Sequence, residues 1–209
     1  RDPSDQLLDP ACGDGRFLTA HGNATGVERD RAAIKIARER APHACVQEGD
    51  FFSWVENTEA RFDCVAGNPP FIRYQLFSGQ VRQRALRVCA RLGVSFSALS
   101  SSWAPFIVAA TRVLRPKGRI AFVVPAEVGH APYSAPLVSY LAGRFSQVQV
   151  VAVRQKVFPK LSEDAWFLYA EGWGGSTNHV RLTTRDRFQF WDAPPADGVA
   201  LSLTDWQNW

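Results

Sequence analysis

The sequence predicts an α/β fold: a doubly wound, mostly parallel sheet with an antiparallel edge hairpin. Three observations predict it. Apolar strand-like runs alternate with helical patterns through the first two thirds of the 209 residues. The early runs end in glycines, acids or prolines, the residues that close a strand into a turn. The last two apolar runs, 147–158 and 164–172, follow each other directly and read as a hairpin. Strands separated by helices pair in parallel through right-handed crossovers.

Taken in order, QLLD (6–9) is a short strand and GRFLTAHG (15–22) a helix start. NATGVERD (23–30) holds a strand that ends in an acid. RAAIKIARERA (31–41) is a helix with Ala32, Ile36 and Ala37 on its apolar side. ACVQEGDFF (44–52) and RFDCVAGNPP (61–70) are strands, the second closed by its prolines. WAPFIVAATRVLRP (103–116) is a helix stopped by Pro116 and the Lys117–Gly118 turn. RIAFVVP (119–125) is a buried strand, and PLVSYLAGRF (136–145) a helix before the hairpin. Beyond Gly172 the alternation weakens, so 1–172 reads as one catalytic-sized domain and 173–209 as a linker or the start of a further module.

The totals exclude several classes. With 46% hydrophobic and 21% charged residues the chain is globular in composition. It has no membrane-spanning run and no signal-peptide pattern, so a cytoplasmic location is expected. It begins at Arg1 and contains no methionine, which reads as a piece of a longer chain. The net charge of +4 comes mostly from arginine and fits a polyanionic partner. Cys12, Cys45, Cys64 and Cys89 show no paired spacing and read as reduced thiols. The four scattered histidines suggest no metal site.

Four strand ends carry the chemistry. In LDPACGDGRFL (8–18) a strand ends at Asp9, and Gly13 and Gly15 let the backbone approach a ligand ahead of a helix expected near Arg16. An ordinary strand-to-helix turn is the bland alternative. Glu28 ends the second strand, where dinucleotide folds place a carboxylate on ribose hydroxyls; a surface acid at a helix start is its plain alternative. In GDFF (49–52) Asp50 can accept from an exocyclic amine, and Phe51 can flank an adenine ring. One of Phe51 and Phe52 is expected in the core, since neighbours on a strand point to opposite faces. Together the three ends suggest an adenosine-type cofactor.

The fourth end is Asn68-Pro69-Pro70-Phe71. The exocyclic amine of a base is a poor nucleophile because its lone pair is delocalised into the ring. Two acceptors aimed at its hydrogens, the Asn68 side-chain oxygen and the Pro69 carbonyl, localise that lone pair. The prolines hold the acceptors in place beforehand. Phe71 offers a face on which a planar group stacks. Just downstream, Arg84, Arg87 and Arg91 share one helical face near Arg73 and Arg82. That face suits phosphate contacts or plain solvation.

DPACGDGRFL followed by NPPF resembles the S-adenosylmethionine-dependent N6-adenine DNA methyltransferases of restriction-modification systems, of the Eco57I and TaqI kind. The resemblance covers about residues 6–171 and includes GNPPFIRYQLF and VFPKLSEDAWFLYAE. It implies a Rossmann-like class I methyltransferase fold. It implies S-adenosyl-L-methionine as cofactor, contacted by Asp9, Pro10, Ala11, Gly13, Gly15, Glu28, Asp50 and Phe51. Asn68, Pro69, Pro70 and Phe71 are the implied catalytic segment, with Phe71 and Phe158 on the substrate; Arg73, read from its own arginine-rich segment, is a candidate substrate contact at a phosphate beside the flipped nucleotide, and no metal is expected. The implied partners are double-stranded DNA with a flipped adenine, and a nuclease or specificity subunit or domain. Target recognition is expected outside this chain. The clamp by itself also suits methylation of RNA bases or of a protein glutamine, and a non-catalytic nucleic-acid-binding subunit is the reading from another class.

Overall fold

The computed structural model describes residues 2–97, 99–157, 164–189 and 193–208. Among them nine strands form one sheet, in the order β3-β2-β1-β4-β5-β7-β6-β8-β9. The strands are β1 (Leu7–Asp9), β2 (Ala24–Glu28), β3 (Cys45–Glu48), β4 (Phe62–Gly67), β5 (Leu114–Pro125), β6 (Phe145–Val153), β7 (Ala165–Trp173), β8 (His179–Arg185) and β9 (Val199–Ser202). The helices are α1 (Arg31–Arg40), α2 (Phe51–Asn57), α3 (Gly79–Arg91), α4 (Trp103–Ala110), α5 (Ala135–Ala142) and α6 (Leu203–Gln207). Strands β1 to β5 pair in parallel, and β7 runs antiparallel between β5 and β6. This is the expected α/β class.

The chain walks outward from β1 to β3, then returns to β1's other side for β4 and β5. The order therefore reverses between β1 and β4. In parallel sheets a crevice for ligands opens at such a switch point, outside the carboxyl ends of the strands.

Two apolar clusters cover the two faces. One gathers Cys12, Leu18, Ala24, Ile34, Ala37, Ala41 and Val46 under α1. The larger one holds α2 to α5 against Leu8, Val27, Val65 and Ile120. Every residue of α4 is buried, which makes it the central helix of that layer.

Several local expectations needed correction. Asp50 ends no strand: it caps α2, its side chain accepting from Ser53 N–H at 3.0 Å. An Asp at the N-cap followed by apolar residues at 51, 52 and 55 is a helix start. No α-helix begins near Arg16; residues Leu18–Ala20 make only one 3-10 turn. The left-handed Gly13 and Gly15 consume the short span before β2. On α1 the buried stripe is Ile34 and Ala37, whereas Ile36 is exposed and Ala32 faces solvent. The stripe is set by the i, i+3, i+7 row through 34, 37 and 41. The helix expected to run to Pro116 ends at Ala110, and β5 already begins at Leu114, with a register shift opposite Phe62 and Cys64. The antiparallel pair is not at the edge. Segment 173–209 contributes β8, parallel to β6, and β9 beyond it. Gln149 Nε2 donates to the Pro195 carbonyl at 2.6 Å, and Phe167 stacks on Phe188 at 5.1 Å, tying that segment to the sheet. No helix among the described residues is long and apolar enough to cross a membrane.

Candidate active site at the switch point

The Asp9 carboxylate is buried at the end of β1. Its Oδ1 accepts from Ala11 N–H at 3.2 Å, and its Oδ2 has no hydrogen-bond partner among the described residues. Burial pushes its pKa up to about 7; the Ala11 N–H works against that rise, and the Glu28 charge adds to it. Across the switch point lies Gly67, the last residue of β4. A Cβ on Gly67 would stand 2.5 Å from Asp9 Oδ1. Glycine is therefore required where β4 passes the acid, and the ends of β1 and β4 touch. Pro10 is buried behind them.

The glycine turn is built by its neighbours. Gly15 (φ 82°) presses on α1: a Cβ there would lie 2.9 Å from Ala37 Cα. Gly13 (φ 51°) has open space where a Cβ would be. Arg40, from the end of α1, donates to the Asp14 carbonyl at 2.6 Å and pairs with the Asp14 carboxylate at 2.5 Å. Cys12 is buried, and burial pushes its thiol up to about 12, so it stays protonated at neutral pH.

Glu28 joins the turn to the second strand end. Its Oε2 accepts from Gly13 N–H at 3.0 Å, and its Oε1 from Arg29 N–H at 2.7 Å and Asp30 N–H at 2.9 Å. A carboxylate has about four acceptor positions, so roughly one remains open. Its carbonyl accepts from Gly49 N–H at 2.8 Å, which brings the third strand end alongside. There Asp50 Oδ1 is shared between Ser53 N–H and Arg84, the ion pair being 3.6 Å. Asp50 Oδ2 makes no hydrogen bond to a described residue.

Phe51 does not stand free. Both Phe51 and Phe52 are buried, and the Phe51 ring lies 4.5 Å from that of Phe106 on α4. The opposite-face argument fails because residue 51 opens a helix. Each aromatic contact of this kind adds about 0.5–1.5 kcal/mol to the core.

The segment after β4 has three distinct positions. Asn68 is exposed, and its carboxamide makes no hydrogen bond to a described residue. Pro69 is buried and Pro70 exposed. Phe71 is half-buried, one side resting on the core. Ser102, just before α4, holds the backbone on both sides of Phe71. Its Oγ donates to the Pro70 carbonyl at 2.5 Å and accepts from Ile72 N–H at 2.9 Å; its own N–H donates to the Ile72 carbonyl at 2.9 Å. Arg73 is exposed and opens a turn in which Leu76 and Phe77 N–H both donate to its carbonyl. Phe158 lies outside the described residues.

The arginine face of α3 pairs within the protein, while Arg87 and Arg91 stay half or more exposed. Arg84, Arg87 and Arg91 converge on Glu56 of α2 at 3.3, 3.0 and 3.3 Å. Hydrogen bonding from Arg87 holds the Glu56 carboxyl below its usual range. Gly67 and Ser102 were missed in the sequence reading. The Gly-Asn pair ahead of the prolines was a signal for the first, and the buried serine run 100–102 before an apolar helix a weak one for the second.

The family model described as Eco57I restriction-modification methylase matches residues 22–158. The chain belongs to this family. Among relatives of the methylase, the type II methyltransferase M.TthHB8I of Thermus thermophilus is 32% identical over 131 residues, 58% of this chain and 29% of that protein. The chain thus spans less than a third of that relative. Among solved structures, the DrdV–DNA complex matches with a TM-score of 0.70 at 13% identity, over 88% of this chain and 25% of that one. The M protein of the type I restriction enzyme EcoKI matches with a TM-score of 0.66 at 15% identity, over 91% and 46%. A candidate class I S-adenosylmethionine-dependent methyltransferase from Listeria monocytogenes gives 0.70 at 18%, over 88% and 59%. These likenesses show the fold, that of the class I methyltransferases.

Proposed function

We propose that this chain is the catalytic part of an enzyme that moves a methyl group from S-adenosylmethionine to the exocyclic N6 amine of an adenine flipped out of double-stranded DNA. The observation that carries the reading is the junction at the switch point. Asn68, whose carboxamide makes no hydrogen bond to a described residue, follows the glycine that lies against Asp9. Family membership supports methyl transfer within restriction-modification. DrdV, which shares the fold, is solved with DNA.

The residues fit the cofactor. Glu28 has acceptor capacity left for a ribose hydroxyl, and Asp50 Oδ2 is open to an exocyclic amine. The orphaned Asp9 Oδ2 suits a polar donor. Pro10, Ala11, Gly13 and Gly15 would form the backbone cradle, with Phe51 supporting its wall from the core. S-adenosylmethionine supplies an electrophilic methyl on a sulfonium. The Asn68 oxygen and the Pro69 carbonyl then accept the two amine hydrogens and localise the nitrogen lone pair. Pro70 stiffens the loop, and Phe71 carries the base on its face. Catalysis is mainly positioning, and the proton leaves to water after transfer.

Arg73 would meet a phosphate beside the flipped nucleotide, and Phe158 would close on the base from the far side. Residues 1–172 would carry the chemistry, and 173–209 would complete the sheet and lead toward a target-recognition module. A nuclease or specificity subunit or domain would be the protein partner. The reaction would be cytoplasmic.

The test is methyl transfer from labelled S-adenosylmethionine by the full-length protein to unmethylated DNA, followed by nucleoside analysis. N6-methyladenine is the expected product. N4-methylcytosine, or label only in RNA or protein, would overturn the assignment.

A further inference from the structure

We propose that Ser102 is a positioning residue for the base clamp. It links the central buried helix to the loop that carries Phe71. Its place in transfer rests on the function proposed above; its hold on the loop does not.

Ser102 is 1% exposed, and all its polar groups are used. Its carbonyl accepts from Phe106 N–H at 3.1 Å, which starts the first turn of α4. Its hydroxyl and its N–H make the three bonds to Pro70 and Ile72 given above. One residue therefore fixes the backbone immediately before and immediately after Phe71. The prolines stiffen the loop from one side only, since Ile72 and Arg73 have free φ angles. Without the hydroxyl, the Pro70 carbonyl and the Ile72 N–H lose their partner, and the backbone beside Phe71 keeps only the Ser102 N–H bond to the Ile72 carbonyl. A stacking surface that moves by about 1 Å loses on the order of a hundredfold in rate. The serine thus converts the rigidity of a fully buried helix into the fixed orientation of a half-buried ring.

The experiment compares wild type, Ser102→Ala and Ser102→Thr in the full-length protein with three readouts. Ser102→Ala is expected to lower kcat for transfer to DNA by roughly 10–100-fold. S-adenosylmethionine affinity, by calorimetry, should stay within about twofold, because no cofactor-side residue is touched. Amide exchange at Ile72 in the unliganded protein should quicken at least about tenfold. Ser102→Thr keeps the hydroxyl and should restore most of kcat and of the Ile72 protection. Unchanged transfer in Ser102→Ala, or cofactor affinity falling in step with transfer, would overturn the positioning role. Unchanged Ile72 exchange would overturn it whatever the substrate. Wild type without transfer to DNA would sink the adenine reading, while the Ile72 exchange would still decide the hold on the loop.

Discussion

At the scale of residues, the site sets open polar atoms at strand ends, from the buried Asp9 to the exposed Asn68. Asp9 is the sharpest case. A buried carboxyl with a pKa near 7 binds its proton more tightly folded than unfolded. Below about pH 4 it is protonated in both states and has no effect. Between about pH 4 and pH 7 the unfolded chain ionises first, so this group makes stability fall as pH rises, by up to about 1.4 kcal/mol per unit. Asp9→Asn should remove that slope. Urea melts of the unliganded protein at pH 4.5 and 7.5 should show the variant gaining on wild type at the higher pH; an equal difference at both would contradict it. Glu28→Gln should weaken cofactor binding by about 1.5–3 kcal/mol, the worth of a charge-assisted bond, with the fold intact by circular dichroism. Gly67→Ala forces a methyl into the Asp9 carboxylate. It should cost about 1–3 kcal/mol of stability and lower transfer far more than a thermal shift of that size explains.

At the scale of elements, the α2–α3 pair shows which arginines are spent. Glu56 draws Arg84, Arg87 and Arg91 onto one carboxylate. Its pKa is depressed, so it stabilises above the unfolded carboxylate range, and that contribution is lost as pH falls through its folded value. Its slope is opposite to that of Asp9. Glu56→Gln should cost about 1 kcal/mol at pH 7, a modest figure because the arginines are partly in water, and the cost should shrink as pH falls through the depressed folded value. Arg87→Ala should leave the salt dependence of DNA binding nearly unchanged; a slope reduced by about one would return this arginine to the phosphates. The order of the strand ends was legible because glycines, acids and prolines punctuate the apolar runs. The start of α2 was not, since Asp50-Phe51-Phe52 reads equally as strand end or helix cap until the apolar spacing through Val55 is counted. The commitment of the arginines could not be read either. Helical spacing shows that they share a face, and only the packing of α2 shows what that face meets.

At the scale of the whole molecule, the sheet extends further than the periodicity of the sequence suggested. Strand β9 is short, and both β8 and β9 lie among glycines and prolines, which hides them. Yet Val180, Leu182 and Trp206 are buried against the core. Cutting the chain after residue 173 would bare the edge of β6, and the product should aggregate or melt without a cooperative transition; a truncated chain as stable as the original would contradict a single sheet-wide core. In the proposed reading, the order reversal between β1 and β4 would set the cofactor cradle beside the Asn68 loop. The central claim is that this loop acts on the methyl acceptor and not on the cofactor. The most direct measurement compares wild type and Asn68→Ala for labelled methyl transfer to DNA and for S-adenosylmethionine affinity. The account predicts transfer reduced by at least about a hundredfold with cofactor affinity nearly unchanged. Parallel loss of both, or transfer that survives the substitution, would contradict it.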